Sequence, residues 1–355
     1  MGQSDDVKSE QDWVLETKTW YISDVTLKYL DLILTVTVHG LISVLGVASN
    51  AVNMKIFAQL GLRDSMSVGL FVLSFTDLAV TAMQVASCFS YLVEVVYPTS
   101  PIDPWSLGHF AFSWARYISF LISCWITTLI TTERCFCVVF PFKVKQVFTI
   151  PRCILATLLI YVVHIGIHLP IYAYAQMAWV DVPEISPYGD LMNTSRVVFT
   201  VTFTELSATW EIIADMVAGV TLSVLSQVIL IFCTLYMIYS LKKSSQIRKG
   251  EKSSSLGNDA DTSGDNLSQR ERRLVKVVLL LALVLTSCNV PRFMVIAIHH
   301  LFPGMNIGAY QNLNTILWDI SYIAGTIYCS STIFIYLKLN TSYRKVFINL
   351  FQPGV

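Results

Sequence analysis

The chain has 355 residues, of which 54% are hydrophobic and only 14% charged, and its mean hydropathy is +0.59. An ordinary soluble domain carries ~25% charged residues, so this balance excludes one and points to a membrane protein. The formal net charge is zero, and no nucleic-acid partner is expected.

Residues 1–29 form a polar, acidic N-terminal segment with Asp5, Asp6, Glu10, Asp12, Glu16 and Asp24. It lacks the basic start and short apolar core of a cleavable signal peptide, so the first helix is expected to serve as the signal. Seven apolar stretches follow, at about 30–58, 67–96, 110–140, 153–178, 213–241, 274–302 and 312–337. Each exceeds the ~20 residues a helix needs to cross the hydrocarbon core. Backbone polar groups in lipid must be satisfied within the segment, which makes each stretch a helix. The alternating pattern of barrel strands is absent. The expected fold class is an all-α integral membrane bundle of seven transmembrane helices over residues 30–337, followed by a tail at 338–355.

At the end of the third stretch stand Glu133, Arg134 and Cys135. Charges at membrane depth lose water, so such residues line a protein interior or a wet cavity and mark a functional element. Basic residues crowd the segments after the odd-numbered stretches and the tail: Lys55 and Arg63, Lys143 to Arg152, Lys242 to Arg273, and Lys338 to Lys345. The alternate loops are acidic, with Arg196 the exception. The positive-inside rule therefore places the N-terminus outside and the tail in the cytoplasm of a multi-pass membrane protein.

The outward loop of about 177–212 contains the glycosylation acceptor Asn193-Thr194-Ser195. The inward loop of about 243–272 has a Ser/Gly/Asp-rich centre that reads as disordered. Its Ser253, Ser254, Ser255, Thr262, Ser263 and Ser268 are candidate phosphorylation sites, each phosphate adding about −1.5 to −2 charges. All eight cysteines lie in apolar stretches or near the cytoplasmic face, which speaks against an extracellular disulfide framework. His164 and His168 share a helix face but have no third ligand, so interhelical hydrogen bonding is the expected role and no metal site is expected.

Taken together, these residues resemble a rhodopsin-type (class A) G-protein-coupled receptor. The likeness rests on the seven spans, Glu133-Arg134-Cys135, Asn50, Leu73 to Asp77, Tyr236, Pro291, and the Phe334-Ile335-Tyr336 end with the following Tyr343 to Phe347 run. That last run resembles the family's short amphipathic eighth helix. More narrowly, Glu133 to Lys145 and Tyr336 to Asn340 are similar to chemosensory-type receptors of molluscs. Departures mark a divergent branch: His109 replaces the third helix's outer cysteine, Asn289 the sixth helix's aromatic switch, and Thr332-Ile333 the seventh helix's Asn-Pro.

The resemblance implies an extracellular small-molecule or peptide ligand and a heterotrimeric G protein as partners, with an arrestin-like protein at the phosphorylated loop. Its activation switch falls on Glu133, Arg134, Glu271, Tyr236, Asn289, Pro291 and Tyr336. Its ligand pocket falls on Arg116, Tyr117, Phe120, Arg292, Trp318, Asp319 and Tyr322. Two guanidiniums there suit a planar anion, or else pair internally with Glu94, Glu211, Asp215 or Asp319. Asp77 and Ser123 match two sodium ligands, the alternative being a buried acid satisfied by Asn50 and backbone; no other cofactor is expected. A transporter or channel using Asp77 and the bundle arginines is the competing class, against which stands the missing internal repeat. No enzyme is expected, since no HExxH, Ser/His/Asp or paired-Asp motif is present. Nor is an opsin, because Thr326 stands where a retinal-binding lysine would.

Overall fold

A computed structural model describes residues 22–140, 143–185, 191–254, 269–302, 304 and 310–351. Among them seven helices are long and apolar enough to span a membrane: α1 Val25–Leu60, α2 Ser65–Val96, α3 Pro104–Val139, α4 Ile150–Tyr174, α5 Glu205–Lys243, α6 Arg273–His299 and α7 Gln311–Leu339. A further helix, α8 Thr341–Phe351, follows α7 after one residue. The seven-transmembrane bundle read from hydropathy is the fold.

Several helices extend past the apolar stretches that announce them. α1 starts five residues early, with the Ser23 hydroxyl accepting from the Thr26 N–H at 3.2 Å. α3 opens at Asp103-Pro104, where the aspartate accepts from the Ser106 N–H at 2.9 Å and proline occupies the first turn. Thr204 caps α5 through the Ser207 N–H at 3.1 Å. At the far end, the α5 helix continues to Ser254 and the α6 helix begins at Gln269. The inner loop read as 243–272 is thus helical at both margins. Ser255, Thr262, Ser263 and Ser268 lie outside the described residues.

The loop expected at 177–212 is instead a β-hairpin, β1 Gln176–Ile185 paired antiparallel with β2 Leu191–Thr202. Both strands are rich in the β-branched and aromatic residues that fit a pleated surface. No disulfide holds the hairpin; all eight cysteines are free. Backbone bonds tie it to the segment before α3: Phe199 N to Pro101 O at 2.8 Å and Asp103 N to Phe199 O at 3.0 Å. The Thr200 hydroxyl adds a bond to the Asp103 carboxylate at 2.9 Å, and Arg196 donates to the Pro98 carbonyl. Asn193 lies near the start of β2.

α3 is the axis of the bundle, the most buried span, packing on α2, α4, α5 and α6, while α4 is the least buried. α1 packs on α2 and α7, and α7 on α6. Around Arg134 the bundle is filled by one large apolar cluster. Within it Phe57 meets the Tyr336 and Tyr343 rings at 5.1 and 5.5 Å. The Tyr343 hydroxyl donates to Asn53 of α1 at 2.5 Å, which moors α8. Toward the hairpin end, α1, α3 and α5 each carry a π-helical stretch, at Leu32–His39, His109–Ser113 and Asp215–Leu222. Such widened turns concentrate at functional sites.

Candidate functional site

A cavity of about 470 Å³ sits at the hairpin end between α3, α5 and α7. Two of the three π-helical stretches contribute to its wall, through His109 and Ser113 on α3 and Asp215 on α5. Its volume falls in the range of small-molecule sites. Four residues expected in a pocket line it: Arg116, Tyr117, Trp318 and Tyr322. Trp318 and Tyr322 stack at 5.7 Å, and the Arg116 guanidinium lies 4.3 Å from the Tyr322 ring centroid, a cation–π contact. Arg116 is only 8% exposed, and its Nε has no hydrogen-bond partner. Among the described residues no carboxylate comes within ion-pair distance of it.

Three other pocket expectations change. Arg292 and Phe120 line a separate small void of about 10 Å³, which shares Arg116, Tyr117 and Tyr322 with the larger cavity. There Arg292 donates to the Tyr117 hydroxyl at 3.0 Å and to the Gly219 carbonyl at 2.8 Å. Tyr117 in turn donates to Asp215 Oδ1 at 2.8 Å. The Arg292 charge is therefore answered by Asp215 through a phenol, joining α6, α3 and α5. Only glycine fits at 219, since a Cβ there would stand 2.3 Å from Asp215 Oδ1 and 2.5 Å from the Tyr117 hydroxyl. Asp319 does not line the cavity; its carboxyl meets that of Asp31 on α1.

Trp114, Glu211 and Asp215 complete the cavity wall. The last two are among the acids named as internal partners for the pocket arginines, and they stand at i and i+4 on one helix face.

At the opposite end Glu133 and Arg134 form a buried ion pair, the only one among the described residues. The Ser65 hydroxyl at the start of α2 donates to the same Glu133 oxygen at 2.5 Å. The side chain of Glu271 lies outside the described residues. Tyr236 is 40% exposed on the outer face of α5, and Met237 is the fully buried neighbour. The exposed face of α5 carries this tyrosine, which is therefore not brought to the buried Arg134. Tyr336 is fully buried in the aromatic cluster. Asn289, one turn below Arg292, donates to Gln227 of α5 at 3.2 Å, and Gln227 donates to Thr286 at 2.8 Å. A polar α5–α6 clasp beside Pro291 thus occupies the place of an aromatic switch. A second cavity, about 550 Å³, opens at this end between the α1–α2 turn, α6 and the α7–α8 junction, with Arg63 and Arg273 on its wall.

Asp77 and Ser123 do meet, the hydroxyl donating to Oδ1 at 2.6 Å, while Oδ2 has no hydrogen-bond partner. Asn50 donates to the Cys329 carbonyl rather than to Asp77, and the Tyr328 hydroxyl bonds Thr127 at 2.6 Å. Hard cations take about six or more oxygens. The side chains shown against Asp77 are one hydroxyl, Ser123, and one thiol, Cys329, so with the carboxylate they give fewer oxygens than such an ion takes, and the donor set fits a sodium ion poorly. His164 and His168 each bond a carbonyl one turn back in α4, at 2.9 and 2.8 Å. That is an intrahelical arrangement, not the interhelical one expected, because the carbonyl at i−4 lies within reach of each ring.

Seven membrane-spanning helices with the third buried among them, a cavity at one end of the bundle and an acid–arginine pair at the other define a multi-pass membrane receptor. A family model described as 7 transmembrane receptor (rhodopsin family) matches residues 51–336, and the chain belongs to that family. No curated protein matches it.

Proposed function

We propose that the receptor works at the plasma membrane with its N-terminus and hairpin outside. A ligand bearing an anionic group binds in the 470 Å³ cavity, and a heterotrimeric G protein is engaged at the Arg134 end. One observation supports this most: Arg116 is buried against an open cavity, and no carboxylate lies within ion-pair distance of it among the described residues. An unpaired guanidinium costs stability, and an anionic guest gripped by its fork removes that cost. Tyr117 adjoins Arg116 and holds Arg292, so occupancy of the cavity bears directly on the α3–α5–α6 relay. Movement of α6 would carry the signal inward, freeing Arg134 from Glu133 and Glu271. An arrestin-like partner reading phosphates at Ser253, Ser254, Ser255 and Ser263 would end it, and Asn193 would carry a glycan.

The test is a ligand screen on cells expressing the receptor, read by calcium and cyclic AMP. An anionic agonist is expected, and Arg116→Ala should weaken its response roughly 10- to 150-fold, the worth of a charge-assisted bond. Arg116→Lys keeps the charge without the fork and should recover only part. Esterifying the agonist should cost as much in the wild type and little more in Arg116→Ala. An agonist without an anionic group, or additive losses, would assign Arg116 to the scaffold.

A further inference from the structure

The cavity holds charges of both signs, on opposite walls. Arg116 stands on α3; Glu211 and Asp215 stand on α5. Asp215 has an internal counterpart, because Tyr117 bridges it to Arg292. Glu211 has none: it is half-buried, it lines the cavity, and no cation lies within ion-pair distance of it among the described residues. Asp319 attracts Arg116 electrostatically, but it lies off the cavity wall, hydrogen-bonded to Asp31 and beyond ion-pair distance. Once it and the Arg292–Tyr117–Asp215 chain are set aside, the wall keeps one guanidinium and one carboxylate, neither in an ion pair among the described residues. Had they touched, they would have formed an ion pair and closed the site. The cavity keeps them apart.

We infer that the ligand is a zwitterion of the amino-acid or short-peptide class, its carboxylate on Arg116 and its ammonium on Glu211. This rests on the reading of Arg116 as an anion site and adds the second pole. A simple anion would satisfy Arg116 but bring its charge into a cavity that already holds Glu211. A simple amine would satisfy Glu211 and leave Arg116 bare. A guest with both groups answers both residues at once and adds no net charge to a partly dehydrated site. Trp114, Tyr117, Trp318 and Tyr322 supply most of the remaining wall, with Ala208 and Ile212 beside them. They suit an apolar side chain, and the aromatic faces favour a nearby ammonium.

Purified full-length receptor would be tested by ligand-induced thermal stabilisation, a readout that needs no G protein. The probes are the twenty standard amino acids, ω-amino acids from glycine to 6-aminohexanoate, and dialanine. Each is set beside its matched carboxylic acid, its matched amine, its N-acetyl derivative and its methyl ester. At least one zwitterion should bind roughly 10- to 150-fold more tightly than either single-charge analogue. The N-acetyl penalty should vanish in Glu211→Gln while the ester penalty persists, and the reverse should hold in Arg116→Gln. The chain length that binds best among the ω-amino acids reports the separation of the two poles.

Carboxylic acids binding as tightly as their zwitterions would overturn the zwitterion and leave the anion reading intact. So would an N-acetyl penalty undiminished in Glu211→Gln. Amines binding as tightly as zwitterions, with no ester penalty in the wild type, would remove both readings. A panel in which no zwitterion stabilises the wild type would overturn the inference outright. Circular dichroism of each variant separates loss of binding from loss of fold.

Discussion

The two ends of the bundle treat a buried arginine in opposite ways. At one end Arg134 touches Glu133, and Ser65 donates to the same carboxylate oxygen. Phe57, Tyr336 and Tyr343 pack nearby in the apolar cluster of that end. At the other end Arg116 faces a cavity of about 470 Å³, with Glu211 on the far wall and an aromatic face as its nearest neighbour. The residue type, the parent helix and the degree of burial are shared. What differs is whether the protein supplies the counter-charge. Where it does, the charge is answered within the protein; where it does not, the charge faces an open space, the arrangement on which the proposed ligand site rests.

The contrast predicts stability changes of opposite sign. Glu133→Gln leaves Arg134 buried without its carboxylate, which should cost about 3–5 kcal/mol and lower the thermal midpoint of the purified receptor. An unchanged midpoint would mean that Arg134 is satisfied elsewhere. Arg116→Met replaces an unpaired charge by an apolar chain of similar reach. It should stabilise the ligand-free receptor by about 1–4 kcal/mol while abolishing the response to an anionic agonist, stability gained at the expense of function. A lower midpoint would show that Arg116 is already paired. The smallest effect belongs to the proposed switch at Arg134. Glu271→Ala should shift the two-state balance by ~1–2 kcal/mol, roughly tenfold in population, and raise basal signalling at equal surface expression. Unaltered basal output would leave Glu133 as the sole restraint.

Much of the fold was legible because a membrane span is a local property. Any ~20 contiguous apolar residues report it, whatever they pack against. The ends of the helices were less legible, since hydropathy falls silent where a helix leaves the hydrocarbon. Their signals were capping residues: Ser23, Asp103 before Pro104, and Thr204, each accepting from the N–H three residues on. Placing the fifth span from 213 instead of Glu205 left Glu211 in a loop, a candidate partner for an arginine and not a fixed position on the cavity wall. The hairpin escaped because its Val-, Phe- and Thr-rich strands are too short to stand out between two long apolar helices. Tyr236 went astray for another reason. That residue was matched by its place near the inner end of the fifth helix, and such a match does not fix which face of the helix it occupies; the structure turns Met237 inward instead.

The sequence by itself determined the class of this protein, the number of its spans and the inventory of charges they carry, because each of these is written in consecutive residues. Only the tertiary structure decided which charges meet. Arg116 and Glu211 lie on different helices, as do Arg292, Tyr117 and Asp215, and whether two such groups form a pair or face each other across a space depends on distances that no local pattern encodes. Coulomb attraction and dehydration both change steeply over a few ångströms. A shift of one helical turn, or one π turn, is therefore enough to pair one arginine and leave another facing an open space.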